Sequence, residues 1–117
     1  MAKKQKRAAP PVEEFLGFIE FLVLAAVLRL GDDHAYGMSV FEAIRENAYP
    51  PISFGSVYTA LERMTWKGYL EGELGNSEPV RGGRARKYYR VTGLGKKVLE
   101  ANFGAMKNVM LIEKPAV

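Results

Sequence analysis

Between Val12 and Leu30 apolar residues wrap most of a helical circumference. Phe15, Ile19, Leu22 and Ala26 form one stripe, and Phe18, Phe21, Leu24 and Leu28 occupy other faces. Glu13 and Glu14 suit the positive end of the helix dipole, and Gly31 supplies a stop. Glu20 interrupts the run, leaving its unbroken part short of the about 18 residues that a membrane span requires. A helix apolar on all sides in a soluble chain is covered on several sides, here by its own domain and a second subunit. A second helix follows, in which Tyr36, Val40, Phe41 and Ile44 share a face while Glu42, Arg45 and Glu46 meet water. After a Tyr-Pro-Pro break, Ser53 is placed to cap a third helix ending at Gly68. Val57, Leu61 and Met64 face its core, and Gly55, Ser56, Thr59, Glu62, Arg63 and Trp66 gather opposite.

The period then changes to two. YLEGELGN and ARKYYRVT are strand-like segments joined by the turn-rich NSEPVRGGR, which predicts a β-hairpin. Alternation sends Tyr89 and Val91 to the core and leaves Arg86, Tyr88 and Arg90 on the exposed face. Thr92 caps a last helix over 93–112, where Val98 or Leu99, Phe103, Met106 and Met110 recur with near-heptad spacing. Such a seam folds back on its own domain or pairs with another chain. The fold class is mainly α with a small β-hairpin (α+β). Three helices followed by a hairpin is the order of a winged helix-turn-helix, with N- and C-terminal helices available for dimerisation. The chain divides into a flexible basic arm (1–11), the winged domain (12–92), the last helix (93–112) and a short tail (113–117).

Composition narrows the function. A chain of 117 residues is one domain, small enough for a partner chain to help stabilise it. There is no cysteine, so thiolate metal sites and disulfides are ruled out, and a reducing, cytoplasmic setting fits. The single histidine, His34, cannot build a zinc site alone. No nucleophile, base and orienting group assemble into a catalytic set, so an enzyme is not expected, nor a cofactor or metal. Lys3, Lys4, Lys6 and Arg7 account for the whole net charge of +4. Within the balanced remainder, residues 81–97 hold Arg81, Arg84, Arg86, Lys87, Arg90, Lys96 and Lys97 without an acid. Ser53, Ser56, Thr59 and Arg63 are donors suited to phosphates and base edges, and Gly82 and Gly83 let backbone approach a phosphate closely. A basic hairpin beside a donor-rich third helix points to nucleic acid.

Three stretches carry a family resemblance: Tyr36-Gly37, then ISFGSVYTALERMTWKGYLEG, then RGGRARKYYRVTGLGKKVLE. Over about residues 18 to 101 the chain resembles the PadR-like transcriptional regulators, in their compact branch with a single C-terminal helix. The resemblance implies a homodimeric DNA-binding regulator, usually a repressor, acting on a double-stranded operator. It places Ser53, Gly55, Ser56, Tyr58, Thr59 and Arg63 on the recognition helix. Arg81, Gly82, Gly83, Arg84, Arg86, Lys87, Tyr88 and Arg90 fall on the wing, with Lys3, Lys4, Lys6 and Arg7 as an additional arm. Phe15, Phe18, Leu22, Leu99, Phe103, Met106 and Met110 would form the dimer seam. It also implies a small aromatic or cationic effector at the dimer interface, as some members hold. Thr59 stands where a proline is common in the family, and Trp66 where a charged residue is common.

Two residues have rival readings. Tyr58 either gives its hydroxyl to a phosphate or packs half-buried, and Trp66 is either a dimer-edge or ligand contact or, as expected here, a partly buried helix-end residue. Two other function classes compete. A protein-docking winged-helix module predicts an exposed apolar patch at Trp66 and indifference to the wing arginines. Peripheral membrane binding through the arm and first helix predicts sedimentation with anionic vesicles.

Overall fold

The computed structural model describes residues 14–75 and 86–113. Its elements are α1 (Phe18–Leu30), α2 (Gly37–Asn47), α3 (Phe54–Trp66), β1 (Leu70–Leu74), β2 (Lys87–Val91) and α4 (Gly93–Met110). The arm, the hairpin tip from 76 to 85 and the last four residues lie outside the described residues.

The first helix starts six residues later than its apolar pattern predicts. Gly17 is extended at the N-cap, and its N–H donates to the Glu20 carboxylate at 3.2 Å. The preceding residues are held elsewhere: Glu14 reaches Lys67 and Tyr69, and the Leu16 N–H donates to Asn102 Oδ1 at 2.8 Å. Tertiary partners thus outbid the local preference for another helical turn. Glu14 serves as an ion-pair partner and not as a dipole residue.

One core joins every element. Val23, Leu24 and Val27 of α1 meet Val40 and Ile44 of α2, Val57, Ala60, Leu61 and Met64 of α3, and Val98 and Leu99 of α4. The hairpin adds Leu70, Tyr89 and Val91. The alternation of β2 is as its sequence predicts, with Tyr89 1% exposed and Arg90 in water. Antiparallel pairing sets Leu70 opposite Val91, Glu71 opposite Arg90 and Glu73 opposite Tyr88. A two-stranded ribbon is marginal alone. Here β2 is also held on its other edge, where the Tyr89 N–H donates to the Ala35 carbonyl at 2.8 Å and Tyr36 bridges Tyr88.

Both later caps form where the sequence places them. Ser53 Oγ accepts from the Ser56 N–H at 3.1 Å, and Thr92 Oγ1 accepts from the Gly95 N–H at 3.0 Å. Thr92 also donates to the Gly68 carbonyl, which ties the start of α4 to the end of α3. Gly68 adopts φ +86, a left-handed conformation that favours glycine after a helix.

Candidate nucleic-acid interface

The outer face of α3 is built by the residues that its core stripe leaves out. Ser53, Gly55, Ser56, Thr59 and Arg63 are all exposed while Val57, Ala60, Leu61 and Met64 are buried. With Ile19 and Glu20 of α1 and Ala60 they line a hollow of about 520 Å³. Its polar groups are short hydroxyls, a helix N-terminus, and the Arg63 guanidinium paired with the Glu20 carboxylate. The hydroxyls and amide N–H groups are of the kind that can donate to phosphates and base edges, and the helix dipole favours an anion at the same end. Tyr58 stands at the margin, stacked on Phe54 with ring centroids 6.3 Å apart and its face half open to solvent.

Acids near α3 are matched by internal partners. Glu62 accepts from the Tyr89 hydroxyl at 2.6 Å and from Lys87 Nζ at 3.3 Å. Glu20 pairs with Arg63 at 3.5 Å and with Lys67 at 3.8 Å. Glu14 takes Lys67 Nζ and the Tyr69 hydroxyl, each at 2.5 Å. The Lys67 and Tyr69 hydrogen bonds hold the Glu14 carboxyl below its usual range, and its acceptance pushes the Tyr69 phenol up to about 12. Burial, then the bond to Glu62, raises Tyr89. None of these three carboxylates is left to repel a polyanion unopposed.

The hairpin residues part into two groups. Lys87 turns toward α3 and Glu62, and its ammonium lies 5.6 Å from the Tyr89 ring centroid. Tyr88 is half-buried and meets Tyr36 edge-on, with Arg86 4.2 Å above the Tyr36 ring. A hydrogen bond with Tyr88 is the leading cause that raises the Arg86 guanidinium. Arg90 pairs with Glu71 across the strands. Tyr88 and Arg90 line a separate hollow of about 950 Å³ with Asp32, Asp33, Glu71 and Glu73. The structure therefore brings the α3 residues together but sets Tyr88 and Arg90 apart from them, on an acidic face. Arg81, Gly82, Gly83 and Arg84, like Lys3, Lys4, Lys6 and Arg7, lie outside the described residues.

A second surface is apolar. Phe15, Phe18, Phe103, Met106 and Met110 are exposed, as are Val109, Leu111 and Ile112 beyond them. Leu22 is half-buried, whereas Leu99 is only 8% exposed. Leu99 was expected on the dimer seam; it is instead spent on the core of its own chain, because α4 lies against the domain through its first two turns. Trp66 departs from expectation in the opposite sense, since it is 86% exposed at the end of α3.

A family model described as the transcriptional regulator PadR-like family matches residues 24–101. The chain belongs to the PadR-like family. Among solved structures, a PadR family transcription regulator from hypervirulent Clostridium difficile R20291 is 30% identical, with 80% of this chain and 92% of that chain covered and a TM-score of 0.68. A PadR family transcriptional regulator from Eggerthella lenta is 28% identical over 79% of this chain and 73% of that one, with a TM-score of 0.60. A PadR-like transcriptional regulator from Bacillus cereus is 25% identical over 81% and 93%, with a TM-score of 0.61. No curated protein matches. The PadR-like assignment makes the chain a transcriptional regulator with a winged-helix fold. Its matched relatives are regulators and not enzymes. Among the described residues, no helix is long and apolar enough to cross a membrane and no acid or histidine cluster could hold a metal. Sequence reasoning missed the role of Glu62, Glu20 and Glu14 as internal partners of the basic residues. Its only available signal was their proximity in space, which a lone sequence does not carry.

Proposed function

We propose that this PadR-like chain is a cytoplasmic homodimeric repressor that reads a palindromic operator through α3. The observation that carries the reading is the outer face of α3, exposed and rich in short donors, with its neighbouring acids engaged inside the molecule. Ser53, Gly55, Ser56, Tyr58, Thr59 and Arg63 would face the major groove. The wing tip and arm would add sequence-independent phosphate contacts. Arg86, near the wing base, joins them, while the charges of Lys87 and Arg90 are already met by Glu62 and Glu71.

Dimerisation follows from the apolar residues on α1, its entry segment and α4. Phe15, Phe18, Phe103, Met106 and Met110 form a surface that a second copy would cover, placing two recognition helices about 34 Å apart on successive grooves. The adaptable methionine side chains there suit a small aromatic or cationic effector held between the copies. Repression would come from occupying the promoter. A gel shift with duplex DNA from upstream of its own gene, under excess nonspecific DNA, tests the reading. A retained band supports it, and loss of the band to competitor opposes it. A promoter reporter that rises when the gene is deleted supports repression.

A further inference from the structure

We infer that Trp66 is a DNA contact, its indole meeting the sugar-phosphate backbone where α3 leaves the major groove. The inference rests on the proposed placement of α3 in that groove. Trp66 is seven residues beyond Thr59 and eleven beyond Gly55. At 3.6 residues per turn it lies within about 20° of both in azimuth, so it continues the exposed stripe and does not belong to the core face. At 1.5 Å per residue it stands about 10 Å past Thr59 and about 16 Å past Gly55. The major groove is about 12 Å wide. A helix that sets Gly55–Thr59 against base edges therefore carries Trp66 to the groove rim, beside a phosphate strand.

Chemistry agrees with that position. The indole N–H is a donor with no acceptor function, and its ring offers a broad apolar face beside it. Trp66 is 86% exposed, so neither the ring nor the N–H is used by the described fold. The acid one turn back, Glu62, is turned to Tyr89 and Lys87, and Arg63 beside Trp66 presents a half-exposed guanidinium. An incoming phosphate thus meets the indole donor without an unopposed carboxylate, and Arg63 would have to leave Glu20 to join it.

Trp66 is the chain's single tryptophan, so its emission reports this position alone. The test uses the full-length protein and the upstream duplex, followed by gel shift and by acrylamide quenching of tryptophan fluorescence. Expected on binding are a retained band, altered emission and reduced access of acrylamide to Trp66. Trp66→Ala should weaken binding about tenfold, the scale of an aromatic anchor, with unchanged circular dichroism. Trp66→Phe should recover part of that loss by keeping the ring without the N–H. A retained band with unchanged quenching, or Trp66→Ala binding as tightly as wild type, overturns the inference. Either result would leave the DNA reading itself intact. Failure of the wild type to shift any duplex instead removes the DNA reading, and this inference with it.

Discussion

Gly95 is the position where two physical effects oppose each other most clearly. It sits in the first turn of α4, where replacing glycine by alanine ordinarily stabilises a helix by about 0.5–1 kcal/mol. Packing says otherwise. A Cβ at Gly95 would stand 2.9 Å from Val91 Cγ1 and 3.0 Å from the Tyr69 carbonyl carbon, and nearer still to the Tyr69 oxygen. That oxygen cannot swing away, because it is backbone and accepts the Thr92 N–H at 3.0 Å. Relief requires α4 to lift from the hairpin, at an overpacking cost of about 1–3 kcal/mol and about 1 kcal/mol more if the Thr92 bond is lost. Set against the propensity gain, Gly95→Ala should destabilise the domain by about 1–3 kcal/mol, lowering the melting temperature by roughly 3–6 °C per kcal/mol. Gly93→Ala is the control, since nothing lies within 4 Å of its added Cβ. Urea unfolding of the three proteins reads the difference. Stability of Gly95→Ala equal to or above wild type would refute the close approach of α4 to Tyr69.

Removing the Tyr89 hydroxyl in Tyr89→Phe should cost about 1 kcal/mol by urea denaturation, because a bond to a carboxylate is lost while Lys87 and water still serve Glu62. The Glu14 carboxyl is lowered by its bonds to Lys67 and Tyr69, so its contribution is present above the ordinary carboxylate range and is lost as pH falls through its folded value. Glu14→Gln should therefore be less stable than wild type at neutral pH, by less than about 1 kcal/mol since the pair is partly solvated, and the gap should close in parallel urea titrations as pH falls below the ordinary carboxylate range. Phe103→Asp and Met110→Asp introduce a charge on exposed positions and should leave circular dichroism unchanged while shifting the species seen by light scattering from dimer to monomer.

Periodicity made the element order legible, because each helix has a one-sided or all-round apolar pattern and β2 alternates from Tyr89 to Val91. Ser53 and Thr92 were readable as caps because capping depends on residues only three positions away. What escaped was set by long-range partners. The α1 start moved because Glu14 and Leu16 bond to residues 53 and 86 positions distant. Leu99 is more buried and Trp66 more exposed than expected because near-heptad spacing cannot say how far α4 stays against the domain, nor hydropathy whether a helix end is covered. The basic run 81–97 read as one feature, yet folding pairs Lys87 and Arg90 with Glu62 and Glu71 and stacks Arg86 on Tyr36. Charge density along a chain therefore does not say which of these cations folding leaves unpaired.

Affinity for the upstream duplex against a scrambled duplex, measured by fluorescence anisotropy across a salt series, tests the role of α3 most directly. Wild type should prefer the upstream duplex, and Ser56→Ala/Thr59→Ala should collapse that preference. Arg84→Ala should instead weaken both duplexes alike and reduce the log–log salt slope by about 0.9 for one phosphate contact. Equal affinity of wild type for the two duplexes, or a preference untouched by the double substitution in α3, would contradict recognition through this helix.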